Sequence, residues 1–108
     1  MPLKPDTKRL LGDLKQRLGA LYGERLADVV LFGSVARGEA TPHSDIDVLV
    51  VLRGPVDRYA ENGRLAEVVL EFMDRYRQPL SPVVMDEVTF LSGDWPLLRN
   101  VREEGISL

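Results

Sequence analysis

This sequence predicts an α/β (α+β) fold, in which a small mixed sheet of three or more strands is flanked by helices. Two apolar runs, at 29–32 and 46–51, are separated by glycines and polar residues, as expected for two strands joined by a turn. Segments with apolar residues at helical spacing lie before and after this pair, and a third apolar run follows the second of them. The 108 residues suit one domain spanning 1–108.

The composition is that of an ordinary globular protein, with 44% apolar and 29% charged residues. A net charge of -3 with scattered basic residues argues against extended contact with DNA or RNA, which usually requires a concentrated basic surface. The lack of cysteine excludes disulfides and thiolate metal sites and suits the reducing cytoplasm. No segment approaches the ~20 apolar residues of a membrane span, so we expect a cytoplasmic protein without membrane contact.

The first element is predicted to be a helix that Asp6 or Thr7 caps and that Gly23 ends. Its apolar face is formed by leucines at helical spacing, Leu10, Leu11, Leu14, Leu18 and Leu21. We interpret this face as core packed against the sheet. The first strand follows over 25–32, and its uninterrupted apolar end indicates burial on both faces.

The turn after the first strand has the features of a phosphate-binding site. Gly33 allows a ligand to approach the backbone closely, and Ser34 is predicted to cap a short helix whose free N–H groups favour an anion. Arg37 is a candidate clamp for a phosphate or a carboxylate, and Gly38 permits the chain to turn away.

Two acids open the second strand. Asp45 and Asp47 lie at positions i and i+2, so that on a strand their carboxylates project from the same face. Without a cation these charges would repel each other, whereas a bound divalent cation keeps both ionised. Mg²⁺ prefers such oxygen ligands and completes its shell with water and phosphate oxygens. We therefore predict that the pair binds Mg²⁺ and that Gly33, Ser34 and Arg37 bind the nucleotide it accompanies.

The polar connector before these acids contains two further candidates. His43 is the only histidine, and we interpret it as an exposed loop residue rather than a metal ligand or base. Ser44 either orients Asp45 through a hydrogen bond or terminates the turn.

The second half of the chain is predicted to form a helical crossover between parallel strands. A long helix over 57–77 carries an apolar stripe together with charged residues, including Glu61, that we interpret as a solvated face. The third strand follows over 80–85, and Pro82 suits a strand at the edge of the sheet. Asp86 is predicted to cap a short helix over 88–91.

A last short helix is predicted near residue 100, capped by Asp94, with Pro96 in its first turn and Gly105 at its end. This segment is rich in apolar residues, Trp95, Leu97, Leu98, Ile106 and Leu108. These side chains either cover the sheet or form a surface for a partner or for self-association.

Three elements together resemble the signature of the nucleotidyltransferase superfamily that includes DNA polymerase beta: Gly33-Ser34, Arg37-Gly38, and Ser44-Asp45-Ile46-Asp47 followed by an apolar strand. The short chain is similar to the minimal nucleotidyltransferase (MNT) branch, whose members are often encoded beside a small helical HEPN protein. The resemblance implies a nucleotidyltransferase fold and a Mg²⁺-dependent enzyme that transfers AMP from ATP to a hydroxyl. It implies that Asp45 and Asp47 are catalytic and bind the metal, while Gly33 and Ser34 hold the β and γ phosphates.

The resemblance also implies a partner protein. In the minimal branch the acceptor is a tyrosine or other hydroxyl of the HEPN protein, the toxin of a pair in which the transferase is the antitoxin. Larger members use additional domains to grip a base, a primer or an acceptor. None is expected here, so substrate selection is predicted either to come from another subunit or to be absent.

One position departs from the catalytic pattern of the superfamily. Active members carry a third carboxylate on the third strand, and Ser81 stands at that position here. Asp86 lies five residues further, on the opposite side of an unbroken strand, so we interpret it as a helix cap rather than a replacement ligand. The sequence thus leaves three functions open: an adenylyltransferase, a catalytically impaired nucleotide-binding module that regulates its partner by binding, and a degenerate domain without a ligand. The intact Gly33-Ser34 and paired-acid elements argue against the third.

Overall fold

The computed structural model describes residues 5–41 and 44–108. The elements follow one another as α1 (Pro5–Tyr22), β1 (Leu26–Phe32), α2 (Gly33–Ala36), β2 (Ile46–Leu52), α3 (Arg58–Tyr76), β3 (Leu80–Asp86), α4 (Glu87–Ser92), α5 (Pro96–Glu104) and β4 (Ile106–Ser107). A single 3-10 turn, Gly23–Arg25, links α1 to β1. Within the described ranges, no helix has the length and apolar character needed to cross a bilayer.

The four strands form one mixed sheet in the order β3-β2-β1-β4. β1 runs antiparallel to β2 and to β4, whereas β2 and β3 are parallel and are joined by α3. The predicted fold class and helical crossover are therefore confirmed, and Pro82 lies on an edge strand as predicted. The short strand β4 was not predicted, because two residues are too few to show a strand pattern.

The sheet separates two groups of buried side chains. The larger group lies between the sheet and the helices α1 and α3, and the strand β2 contributes Ile46, Val48, Val50 and Leu52 to it. The smaller group lies between the other face of the sheet and α5, and it includes Leu49, Val51, Leu98 and Val101. β2 is thus buried on both faces, and its alternating residues face opposite layers.

The first helix confirms the predicted leucine face, since Leu10, Leu11, Leu14 and Leu18 are buried in the larger group. The predicted N-cap is wrong. The helix already begins at Pro5, so Asp6 and Thr7 lie within its first turn rather than before it. An acid in the first turn still suits the positive end of the helix dipole.

Glu61 on α3 corrects the prediction of a fully solvated charged face. Its side chain is 3% exposed and accepts hydrogen bonds from Arg25 Nη1 at 3.1 Å and Arg64 Nη1 at 3.0 Å. A buried carboxylate is tolerated only with such partners. The pattern did not reveal this because Arg25 comes from a different part of the chain.

The helix boundaries near the third strand agree with the prediction, as do the place of Pro96 in the first turn of α5 and the end of α5 at Gly105, whereas the predicted N-cap of α5 does not. Asp57 caps α3, and Asp86 caps α4. The N-cap of α5, however, is Trp95, which makes no side-chain cap hydrogen bond, while Asp94 Oδ1 pairs with Arg99 Nε at 3.3 Å. The predicted cap at Asp94 is therefore wrong.

The apolar segment near the end of the chain contains both buried and exposed side chains. Leu98 is fully buried under the sheet, in the smaller group of buried side chains. Trp95, Leu97 and Ile106 remain partly exposed, as do Val88 and Leu91 on α4. An apolar surface of this kind is common where another protein binds.

Candidate active site

The candidate site lies where β1 ends and where β2 and β3 begin. Asp47 pairs in register with Phe32 on β1 and with Ser81 on β3, so these three residues stand side by side across the sheet. Because side chains alternate along a strand, Asp47 and Ser81 project from the face that carries α5. The sequence elements that carried the resemblance are thus brought together at one end of the sheet.

Gly33 is in direct contact with the carboxylate of Asp47. Its φ of 77° is in the left-handed region that favours glycine. A Cβ at this position would overlap Asp47 Oδ2 and would lie 3.1 Å from Asp47 Cγ. Only glycine, therefore, lets the turn after β1 approach the carboxylate this closely.

The turn itself is a single helical turn, α2, and its start differs from the prediction. The helix begins at Gly33 with Phe32 as the N-cap, and no side chain caps it, so Ser34 lies within the helix. The predicted capping role of Ser34 is wrong, although the residue remains half-buried beside Gly33. Gly38 ends the turn with a φ of 73°, as its predicted role in redirecting the chain requires.

Arg37 follows α2 and is held by two carboxylates. Its Nε donates to Glu39 Oε2 at 3.2 Å, and its Nη1 donates to Glu104 Oε2 on α5 at 3.4 Å. These hydrogen bonds raise the pKa of the guanidinium, which stays charged. The sequence did not suggest either acid as a partner, and Glu104 could not have been found without the fold.

The two aspartates occupy different environments. Asp47 lies within β2 and is half-buried, whereas Asp45 is exposed and precedes the strand, contrary to the prediction that both lie on it. Burial, followed by the nearby charge of Asp45, raises the pKa of Asp47, and the positive charge of Arg37 opposes this rise. The two carboxylates are therefore close enough to repel each other, as predicted.

This donor set fits a divalent cation that prefers oxygen. Two repelling carboxylates next to a glycine-lined turn offer the partial ligand set that Mg²⁺ typically takes from a protein. Within the described ranges, no group of three or more His, Cys, Asp or Glu side chains could hold a metal ion. The protein would thus supply two carboxylates, and water and phosphate oxygens would complete the shell.

Ser81 stands directly beside Asp47, where the resemblance requires a third carboxylate. Asp86 does not replace it. One Asp86 oxygen accepts from the Thr89 backbone N–H at 2.9 Å and the other from the Thr89 hydroxyl at 2.7 Å, at the far end of β3. These hydrogen bonds lower the pKa of Asp86, which acts as the predicted helix cap.

We expect Asp86→Ala to lower stability without weakening metal binding. Loss of the cap leaves backbone N–H groups of α4 without a partner, and the melting temperature should fall by roughly 4–8 °C. Thermal unfolding measures this change, and titration with Mn²⁺ in the presence of ATP measures the site. A weakened metal affinity in Asp86→Ala would show that Asp86 serves the site after all.

The connector before Asp45 is fixed by its own hydrogen bonds. Ser44 Oγ accepts from the Thr41 backbone N–H at 2.8 Å, and the Ser44 N–H donates to the Thr41 carbonyl at 3.0 Å. Of the two roles left open for Ser44, orienting Asp45 or terminating the turn, the side chain thus has the second. His43 lies outside the described residues, so its interpretation stays a prediction.

Residues 8–107 match the nucleotidyltransferase domain family. Two relatives from Methanocaldococcus jannaschii both bear the name "Putative protein adenylyltransferase". MJ1305 is 36% identical over 71% of this chain, and MJ0604 is 31% identical over 91% of it. The aligned segment spans 53% of MJ1305, about half of its length, and 93% of MJ0604.

Solved structures confirm the predicted nucleotidyltransferase fold. A toxin-antitoxin crystal structure with AMP-PNP superimposes with a TM-score of 0.62 at 21% identity, covering 88% of this chain and 69% of the other. A nucleotidyltransferase from Sulfolobus solfataricus, described as putative, gives a TM-score of 0.57 at 22% identity and covers 92% and 76%. At these identities the likeness shows the fold alone. The match over residues 8–107 establishes that this chain belongs to the nucleotidyltransferase family.

Proposed function

We propose that this chain transfers AMP from ATP to a hydroxyl group of a partner protein, with Mg²⁺ as the metal. The observation that carries the proposal is the contact between Gly33 and the carboxylate of Asp47. This contact places the α2 turn, whose backbone can bind phosphates, beside the acids that can bind a metal ion. A nucleotide bound with its phosphates at the turn therefore has its metal ligands within reach.

Each residue of the site has a role in this reaction. The Gly33-Ser34 turn holds the β and γ phosphates, and Arg37, which keeps its charge, attracts them. Asp45 and Asp47 would hold the cation that accompanies the nucleotide. When bound, Mg²⁺ polarises the α-phosphate and neutralises the pyrophosphate leaving group. The acceptor oxygen bonds the α-phosphorus as the bond to the bridging oxygen breaks, and the hydroxyl proton passes to water.

The choice of a protein as acceptor rests on the relatives and on the surface of the molecule. Two relatives are named as protein adenylyltransferases, although one of them is aligned over only about half of its length. The exposed apolar side chains of α4 and of the start of α5, among them Leu91 and the N-cap residue Trp95, offer a surface for a protein. A HEPN protein, as in the toxin-antitoxin pairs of the minimal branch, is the partner we propose.

A second function is favoured by Ser81. A hydroxyl beside Asp47 is a poor substitute for a carboxylate, because it carries no charge to hold a second metal or to accept a proton. In that case the chain binds the metal nucleotide and regulates its partner by occupancy. Nucleotide binding would then persist without transfer.

Labelled ATP distinguishes these functions. The full chain is incubated with MgCl₂, a lysate of the source cells and ATP labelled at the α or the γ phosphate, while calorimetry measures MgATP binding in parallel. Transfer of the α label alone to a protein supports adenylylation. MgATP binding without transfer supports the binding module.

The aspartates provide the test of the site. Asp45→Asn combined with Asp47→Asn should abolish metal-dependent binding and transfer, whereas Glu103→Gln, which neutralises an exposed acid on α5, should preserve both. Transfer of the α label by the double variant would refute the assignment. Failure of the wild-type chain to bind MgATP would refute both functions.

A further inference from the structure

The strand β2 does not explain how the side chain of Asp45 is oriented. The residue precedes β2 and is exposed, so neither strand pairing nor burial fixes its side chain. A metal ligand must nevertheless be held within about 0.5 Å of its productive position. Something outside β2 has to orient it.

Two consecutive residues of the α3–β3 connector hold the two peptide groups that flank Asp45. The Gln78 side-chain amide donates to the Ser44 carbonyl at 2.6 Å, which fixes the peptide group before Asp45. The Pro79 carbonyl accepts from the Ile46 N–H at 2.8 Å, which fixes the peptide group after it. With both peptide planes held, the direction in which the Cα–Cβ bond of Asp45 leaves the backbone is set.

The connector is itself placed by the end of α3. Arg77 adopts a left-handed conformation with a φ of 55°, and its N–H donates to the Met73 carbonyl at 2.9 Å. This conformation is uncommon for a residue other than glycine, asparagine or aspartate. It turns the chain so that the following residue, Gln78, reaches back 34 positions in sequence to the loop before Asp45.

From this arrangement we infer that Gln78 is a positioning residue for Asp45 in metal-nucleotide binding. The inference rests on the proposed function. It assigns to Gln78 no contact with the metal or the nucleotide. The Pro79 contact is a backbone interaction that any residue could make, whereas the Gln78 contact depends on the side chain and can be removed by substitution.

The test compares MgATP affinity in wild-type protein and in Gln78→Met, which has a similar shape but no donor. Calorimetry should show an affinity weakened roughly 2- to 12-fold, the span expected for one hydrogen bond. Gln78→Asn keeps an amide but shortens the side chain by one methylene, so it should weaken MgATP affinity to a similar extent. It provides the test if Gln78→Met folds poorly. Asp86→Ala, whose change lies at the other end of β3, controls for lost stability.

A second measurement distinguishes positioning of Asp45 by Gln78 from a purely structural role of Gln78. In an Asp45→Asn background, Gln78→Met should cause no further loss of affinity, because effects that act through one residue are not additive. An equal loss in both backgrounds, or an unchanged affinity in Gln78→Met and Gln78→Asn, would overturn the inference while leaving the proposed function intact. Absence of MgATP binding by the wild-type chain would instead refute the proposed function and, with it, the inference.

Discussion

Gly33→Ala should disrupt the proposed metal-nucleotide site while leaving the protein folded. The added methyl group would overlap Asp47 Oδ2, so that either the carboxylate or the α2 turn must move. A displacement of about 1 Å at a reacting group can lower the rate about 100-fold. We therefore expect MgATP binding to weaken and transfer, where the wild type shows it, to fall by about that factor.

Alanine substitutions at two other glycines distinguish overlap with the Asp47 carboxylate from the general effect of adding a methyl group to the backbone. Gly23 also has a positive φ, of 56°, but a Cβ there would meet nothing within 4 Å, so Gly23→Ala measures backbone strain alone, about 1–2 kcal/mol. Gly12 lies within α1 in open space, and Gly12→Ala should stabilise the helix by about 0.5–1 kcal/mol. Neither control should alter MgATP affinity. Wild-type affinity in Gly33→Ala would show that the contact with Asp47 is not part of the site.

Ser81→Asp should restore the missing carboxylate and strengthen metal binding. Residue 81 stands beside Asp47 in the parallel register of β2 and β3, so the new acid would face the same metal position. A third oxygen ligand should tighten Mn²⁺ binding about tenfold or more, which corresponds to ~1.4 kcal/mol. If Ser81 is what limits catalysis, transfer of the α label should rise as well.

The same variant should be less stable in the absence of metal, and in a pH-dependent way. Burial and Asp45 already raise the pKa of Asp47, and a further carboxylate would raise it more. A carboxyl group with a raised pKa in the folded state costs stability as pH rises, so the melting temperature in EDTA should fall as the pH is raised above the ordinary carboxyl pKa of about 4. Mn²⁺ should reverse this fall.

Ser81→Asn is the matched control for these measurements. It has nearly the size of aspartate but no charge, and it should show neither the tighter Mn²⁺ binding nor the pH-dependent loss of stability. Equal Mn²⁺ affinities for Ser81→Asp and Ser81→Asn would mean that residue 81 does not face the metal position.

Much of the fold could be predicted because it follows from local patterns of apolar residues in the sequence. The leucine spacing of α1 and the apolar runs of β1 and β2 each reflect burial of a continuous face, which a linear sequence records. The parallel pairing of β2 and β3 followed from the helix between them. The predicted caps of α1 and α5 were wrong, because several residues near the start of each helix have side chains that could act as a cap.

The sequence indicates the candidate site residues but not the side chains that hold them in place. Gly33, Asp45 and Asp47 stand out because glycine and paired acids are unusual within apolar runs. Gln78 and Glu104 carry no such signal, because their partners are distant in sequence and are brought near only by the sheet. The burial of Glu61 was missed for the same reason, since its partner Arg25 precedes β1.

The pairing of β4 with β1 bears on the order in which the protein is assembled during synthesis. Ile106 and Ser107 complete the edge of the sheet against Leu31 and Val30, and Glu104, just before them, reaches Arg37. The aspartates, Gly33 and Ser81 all leave the ribosome earlier. A nascent chain can therefore form the carboxylate pair first, and the arginine beside it acquires its second anchor only when residues 104–107 have emerged.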